Sequence, residues 1–294
     1  MSDDGRVVAG WDGSPDSVDA LGWAWTEACR RDVALEVVAV LHPPRPPSAP
    51  ALLASRALLH DAVRGEVSAA LEVLDAPDRR VRSDVRVVTG APVAELQRAA
   101  AGASLLVVGH RGRGASESAG STSTTLAAGA PCPVAVVRCH GRPCAPRDRP
   151  VVAGVDASYA SRGALHVAAD LAGGPDPQVV AVLAHPVEVV DPRRAALDVP
   201  AEPGAAARLL EDFVAGVREA HPHVDLVTRV RVGRPGEVLV DASRGASAVV
   251  VSTTGGSLLR RLLARPDGSG CPLVVVPATT ALRRDAQERY RARA

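Results

Sequence analysis

The sequence predicts an α/β protein built as two tandem, doubly wound, five-stranded parallel-sheet domains. Three observations predict it. The chain repeats itself: Val7-Val8-Ala9-Gly10-Trp11-Asp12-Gly13-Ser14 recurs as Val151-Val152-Ala153-Gly154-Val155-Asp156-Ala157-Ser158. Within each half, short continuous apolar runs alternate with amphipathic stretches, the pattern of strands buried on both faces and crossed by helices. Finally, 294 residues at 47% hydrophobic content are enough for two cores of ordinary domain size. The repeat continues at His42-Pro43 and His185-Pro186, at Gly90-Ala91-Pro92 and Gly233-Arg234-Pro235, at Leu106-Val107-Val108 and Val249-Val250-Val251, and at Cys132-Pro133 and Cys271-Pro272. A repeat this long is a whole domain rather than a solenoid unit.

The elements of the first half follow in order. A strand is predicted over Arg6–Gly10. Ser14 then caps a helix with Pro15 in its first turn, and Val18, Leu21, Trp25 and Ala28 lie along one stripe of it. The second strand is Ala34–Leu41, stopped by the Pro-rich stretch His42–Pro50. A helix over Ala51–Leu74, a strand over Asp84–Val88, a helix after Pro92 and a strand over Ser104–Val108 come next. Ser121–Ala128 reads as a further helix and Val134–Val137 as the fifth strand. The second half repeats this until its end. There Pro266-Asp267-Gly268-Ser269-Gly270 arrives so soon that the last helix is expected to be missing. The expected domains are therefore 1–139 and 150–278, joined by an aperiodic linker over 140–149 and followed by a charged tail over 279–294.

Composition excludes several classes of function. Only 2% of residues are aromatic, which removes the stacking surfaces of a single-strand nucleic-acid binder. A formal charge of +1, with acidic and basic residues interspersed, lacks the footprint of a duplex binder or of a membrane-surface protein. No apolar run approaches the roughly 18 residues that span a bilayer. Met1-Ser2-Asp3-Asp4-Gly5 passes into a strand without a basic-then-apolar leader, so a cytoplasmic protein is expected. Lys is absent, so a Walker-type loop, a Schiff base and a Lys general base are excluded. The cysteines Cys29, Cys132, Cys139, Cys144 and Cys271 have no zinc-like spacing and read as buried or free thiols, and no metal site is predicted.

Polar and small residues gather at the predicted strand ends, where a doubly wound sheet binds ligands. The first strand ends in Asp12-Gly13-Ser14. The fourth ends in Gly109-His110-Arg111-Gly112-Arg113-Gly114, followed by Gly120-Ser121-Thr122-Ser123. Glycines let backbone amides approach phosphate oxygens, and a Ser/Thr-rich helix start adds donors at the positive end of the dipole. An anion can be held there without Lys. His42 and His185, at equivalent strand ends before proline, read as structural, and His221-Pro222-His223 as surface. His110 lies inside the loop with no nucleophile or carboxylate assigned to it.

In both halves these residues resemble the universal stress protein family in a tandem, two-domain form, over nearly the whole chain. The resemblance implies a Rossmann-like fold of the adenine nucleotide alpha hydrolase type and binding of ATP, AMP or another adenine nucleotide. The family pattern is Gly-x-x-Gly, nine residues, then Gly-Ser/Thr after the fourth strand, with an Asp after the first strand and a backbone contact from the second. Carried onto this chain, Asp12 meets the adenosine portion and Val40 presents its backbone to adenine. Gly109, Gly112, Gly120, Ser121 and Thr122 hold phosphate. Seven residues, rather than nine, separate Gly112 from Gly120. The second copy keeps Asp156 and Gly255 but has Ser252 in place of the first glycine and Arg265-Pro266 in place of Gly-Ser, so no nucleotide is expected there. Arg260, Arg261 and Arg265 read as solvated rather than as substitute phosphate donors.

The resemblance also implies an internal pseudo-dimer through Val134–Val137 and Leu273–Val276, which would cover two sheet edges, and it leaves a further homodimer open. The leading expectation is a nucleotide-binding protein of the stress response rather than an enzyme. A protein-interaction module without nucleotide is the alternative. Weak ATP hydrolysis ranks last, because no general base or metal carboxylate pair is placed.

Overall fold

The computed structural model describes residues 5–41, 50–74, 81–112, 121–139, 144–185, 203–253, 262 and 271–281. The chain divides into two compact units, Met1–Gly141 and Arg142–Ala294. The first unit runs β1 (Val7–Trp11), α1 (Pro15–Arg31), β2 (Leu35–Leu41), α2 (Pro50–Leu74), β3 (Ser83–Thr89), α3 (Pro92–Ala99), β4 (Leu105–Gly109), α4 (Ser121–Gly129) and β5 (Val134–Val137). Its strands lie in the order β3-β2-β1-β4-β5, and every neighbouring pair is parallel. The second unit runs β6 (Val151–Val155), α5 (Tyr159–Leu171), β7 (Gln178–His185), α6 (Pro203–Ala220), β8 (Asp225–Val232), α7 (Pro235–Ser243), β9 (Ala248–Ser252) and β10 (Leu273–Val276). Its order, β10-β9-β6-β7-β8, is the same winding, again parallel throughout.

The continuous apolar runs are strands because helices cover both faces of each sheet. Val7, Val8, Leu105, Leu106, Val107 and Val134 to Val137 are buried in the first unit. Gly10 marks one close approach. A Cβ there would stand 3.1 Å from Val108 Cγ1 and 3.3 Å from Leu96 Cδ2, so a side chain at that point would press on the α3 leucine. The same holds at Gly154 for Leu239 of α7, with 3.0 Å to Leu239 Cδ1 and 3.2 Å to Val251 Cγ1. The internal repeat thus preserves a helix-on-strand contact as well as a strand.

The first helix of each unit starts alike. Ser14 and Ser158 are extended N-caps whose hydroxyls accept from Ser17 N and Ser161 N. The stripe on α1 differs from the sequence reading at one end: Leu21, Trp25 and Ala28 are buried, but Val18 is 49% exposed. The buried face is centred on Ala20, Ala24 and Ala28, with Leu21 and Trp25 covered along its margin.

Two other expectations are corrected. Cys139 and Cys144 are disulfide-bonded, whereas Cys29, Cys132 and Cys271 are outside any disulfide. His221 is buried, not on the surface: its Nε2 lies 3.1 Å from Nδ1 of His166 on α5. The end of α6 packs on α5 and carries that ring inward.

The expected loss of the second unit's last helix falls on residues 254–270, outside the described residues except for Leu262, which is helical and buried. Ala281, the last described residue, is buried. A Cβ on Gly163 would stand 1.9 Å from the Ala281 carbonyl oxygen, so α5 carries that segment directly on its backbone. Among the described residues no helix is long and apolar enough to cross a membrane.

Candidate functional site

From β1 the first unit winds outward to β2 and β3, then returns to β4 and continues to β5. In such a sheet the ligand crevice opens beyond the carboxyl ends of the two strands at the reversal. β1 ends at Trp11, so Asp12 stands at its mouth, and β4 ends there at Gly109. Asp12 Oδ1 accepts the Ser14 N–H at 3.0 Å, closing a tight turn through Gly13 at φ 71°. This fixes the carboxylate, and its other oxygen lies against the loop from β4: a Cβ on Gly112 would be 2.6 Å from Asp12 Oδ2. Asp12, Gly109 and Gly112, separated by almost a hundred residues of sequence, are thus brought together.

The start of that loop is held from four directions. His110 N donates to Val137 O at 3.0 Å, and His110 O accepts from Ser123 Oγ at 3.2 Å. Arg111 O accepts from Ser14 Oγ at 3.1 Å, and Arg111 N donates to Asp16 Oδ2 at 2.9 Å. Gly109 itself is wedged against α1, since a Cβ would stand 2.7 Å from the Asp16 carbonyl carbon and 2.9 Å from Ser17 N. The His110 ring is buried and is not presented as a surface group.

Val40 lies beside this crevice, and its backbone direction follows from the ladder. In a parallel pair, residues facing one neighbour alternate with residues facing the other. Leu41 O accepts from Gly90 N on the β3 side, so the Val40 groups face β1. The register pairs of β1 with β2 end at Trp11 and Ala39, leaving Val40 one residue beyond them. Thr122 is half-buried in the first turn of α4, where backbone N–H groups lack intrahelical partners. Gly120 and the side chain of Ser121 lie outside the described residues; the Ser121 backbone is the first of α4.

Sequence reasoning missed Asp16, Ser123 and the second contact of Ser14. Ser14 reads from sequence as a cap, which it is, but a capping hydroxyl can also donate, and this one reaches a loop 97 residues away. An acidic residue in a helix's first turn reads as dipole compensation. Nothing in its spacing says that it also grips a loop amide.

The second unit keeps half of this arrangement. Asp156 Oδ1 accepts from Ser158 N at 3.0 Å, as in the first, but the turn residue is Ala157 at φ 61°. Ala160 occupies the place of Asp16 and Ser252 that of Gly109. Gly255, Arg260, Arg261, Arg265 and Pro266 lie outside the described residues. Among the described residues no group of three or more His, Cys, Asp and Glu side chains is placed to hold a metal ion.

The sequence profile of the universal stress protein family matches residues 5–138 and again residues 149–269. The chain belongs to the universal stress protein family. It carries two such domains in tandem. Universal stress protein MT2087 of Mycobacterium tuberculosis is 31% identical over 287 residues, covering 92% of this chain and 95% of its own. Universal stress protein Mb2028c of Mycobacterium bovis is 32% identical over 286 residues, covering 94% of this chain and 96% of its own. A crystal structure of a universal stress protein from Archaeoglobus fulgidus shares the fold with a TM-score of 0.64 at 17% identity, over 93% of this chain and 96% of that one. Two matches in tandem accord with the doubled winding. Asp16 against Ala160 and Gly109 against Ser252 distinguish one copy from the other.

Proposed function

We propose that the first unit binds an adenine nucleotide, ATP or one with fewer phosphates, and that the protein acts in the stress response by binding and regulation rather than by catalysis. One observation carries this reading: Asp12 and the glycines of the β4 loop meet at the reversal of the sheet, with Gly112 against the Asp12 carboxylate. A carboxylate there suits ribose hydroxyls, which donate, and loop and helix-start amides suit phosphate oxygens, which accept. Gly109, Gly112, Gly120, Ser121 and Thr122 are the phosphate side of the proposed site. Beyond the β1 ladder, the Val40 carbonyl is an acceptor for the amino group of adenine; guanine offers a carbonyl at that position and is disfavoured. Membership of the family supports the same ligand class.

The test is a thermal melt of the full chain with AMP, ATP and GTP at millimolar concentration. Adenine nucleotides are expected to raise Tm by a few degrees, as saturation of a single site implies. Asp12→Ala should remove the shift. Absence of any heat of binding for AMP and ATP in titration calorimetry would overturn the reading.

A further inference from the structure

The first helices of the two units differ in how they place charge. Helix α1 follows the electrostatic rule for helices, with Asp16 in its first turn and Arg30 and Arg31 in its last. Helix α5 does not. It has no acidic residue in its first turn and no basic residue in its last, and Arg162 stands fourth from its start, at the end where the helix dipole repels a cation. The guanidinium is seated on rings. Its carbon lies 4.6 Å from the centroid of Phe213 on α6 and 5.8 Å from that of Tyr159, both within reach of cation–π attraction. The chain has one Phe and two Tyr, so its only phenylalanine and one of its two tyrosines are gathered around this cation.

What the guanidinium lacks is an acceptor. Its Nε is buried with no hydrogen-bond partner, and among the described residues no carboxylate pairs with it. Arg6, Arg30, Arg31 and Arg218 are each paired with a glutamate. Asp156, just ahead of α5, accepts with its Oδ1 from the N–H and the hydroxyl of Ser158. A cation fixed by two rings, set against the dipole of its own helix and met by no oxygen of the chain is a local conflict that a bound anion resolves.

We propose that Arg162, seated on Phe213 and Tyr159, anchors a ligand site in the second unit for small molecules that carry an oxyanion, carboxylate or phosphate, beside an aromatic ring. The planar guanidinium presents paired N–H groups that match either oxyanion. Tyr159 is 60% exposed and gives the ring of the ligand a flat apolar surface. In the first unit Val18 and Pro15 occupy the places of Arg162 and Tyr159, so that copy has neither the cation nor the ring. The site is independent of any nucleotide in the first unit.

The test is an NMR titration of the full chain labelled on phenylalanine, whose ring signals belong to Phe213 alone. Phenyl phosphate, benzoate and, at matched ionic strength, sodium chloride are added separately. A saturable shift at millimolar phenyl phosphate or benzoate, absent with sodium chloride, is expected, and the tighter of the two tells phosphate from carboxylate. Arg162→Gln should abolish the response. Arg162→Lys keeps the charge without the fork and should weaken binding by about tenfold. Shifts in the native chain that never saturate and match those of sodium chloride overturn the proposal, whether or not the variants fold. A saturable shift that survives in Arg162→Gln overturns it as well.

Discussion

Gly109 and Asp16 are in backbone contact: a Cβ at Gly109 would stand 2.7 Å from the Asp16 carbonyl carbon and 2.9 Å from its oxygen. The end of β4 and the first turn of α1 therefore cannot separate by even a methyl group without disturbing the loop that follows. Gly109→Ala is expected to destabilise the protein by about 1–3 kcal/mol, the range for overpacking a tight site. The obstructing atoms are main chain and cannot swing aside. Ser252, its counterpart in the second unit, already carries a side chain, so Ser252→Ala should cost less than Gly109→Ala. Urea unfolding of the two variants compares them, and equal losses would show that the close approach is not what Gly109 serves.

The turn after the first strand offers a paired experiment inside one chain. Gly13 has φ 71°, where glycine is at ease, and Ala157 has φ 61° in the equivalent turn, where a Cβ is strained. Both turns carry the same Asp-to-Ser hydrogen bond at 3.0 Å, so the conformation is imposed by the motif and not by the residue within it. Ala157→Gly should stabilise by about 1 kcal/mol and Gly13→Ala should destabilise by a similar amount. Thermal melts of the two single variants check this. A loss of stability in Ala157→Gly would mean that the freedom gained by the unfolded chain outweighs the relief of strain.

These contacts show what the sequence discloses. The doubled winding was legible because parallel strands buried on both faces leave continuous apolar runs, and because the second copy repeats them in register. Ser14 as a cap and the juxtaposition of Asp12 with the β4 glycines were legible for the same reason: they lie at strand ends, and strand ends converge. Strand limits moved by a residue or so. Trp11, for example, joins β1 by pairing with Ala39, a choice made by the neighbouring strand. Asp16, Ser123 and His221 were not legible, since each acts through a partner in a distant element: Arg111, the carbonyl of His110, and His166. The Cys139 and Cys144 bond was hidden too, because an odd cysteine count with irregular spacing does not single out a pair.

Cys132 precedes β5 and is buried, with its Sγ 3.5 Å from the Pro133 carbonyl oxygen. Burial pushes its thiol up to about 12, because the charged thiolate would lose its water. The unfolded thiol titrates near the ordinary value, so the folded state keeps a proton that the unfolded state gives up as pH rises. The stabilising contribution of the neutral thiol is complete below that ordinary value and is lost as pH climbs from it toward about 12. Native protein treated with iodoacetamide at about pH 8 should leave Cys132 unmodified, whereas urea-unfolded protein should be labelled there. Peptide mass mapping reads the site, and rapid native labelling would contradict the burial of this strand start.

Glu211 of α6 accepts a hydrogen bond from the Thr228 hydroxyl of β8, and Arg218 reaches the same carboxylate at 3.2 Å. The Thr228 hydrogen bond is the main cause that holds its carboxyl below the ordinary carboxylate value, and Arg218 adds to it. A depressed folded value means that the unfolded chain takes up the proton first on acidification. The contribution is therefore present above the ordinary carboxylate value and fades as pH falls from it through the lowered folded value. Arg218 and Glu211 are both about half exposed, so solvent screens the pair and the effect is small. Glu211→Gln should lower the urea midpoint slightly at pH 7 and leave it unchanged near the acid end, where the native carboxylate is protonated as well. Thr228→Val should reproduce the same pH dependence, because it removes the donor while keeping a β-branched shape on the strand. If Glu211→Gln shifts the midpoint equally at both pH values, the helix is tied to the edge strand by packing of the side-chain stems, and the hydrogen bond contributes nothing measurable.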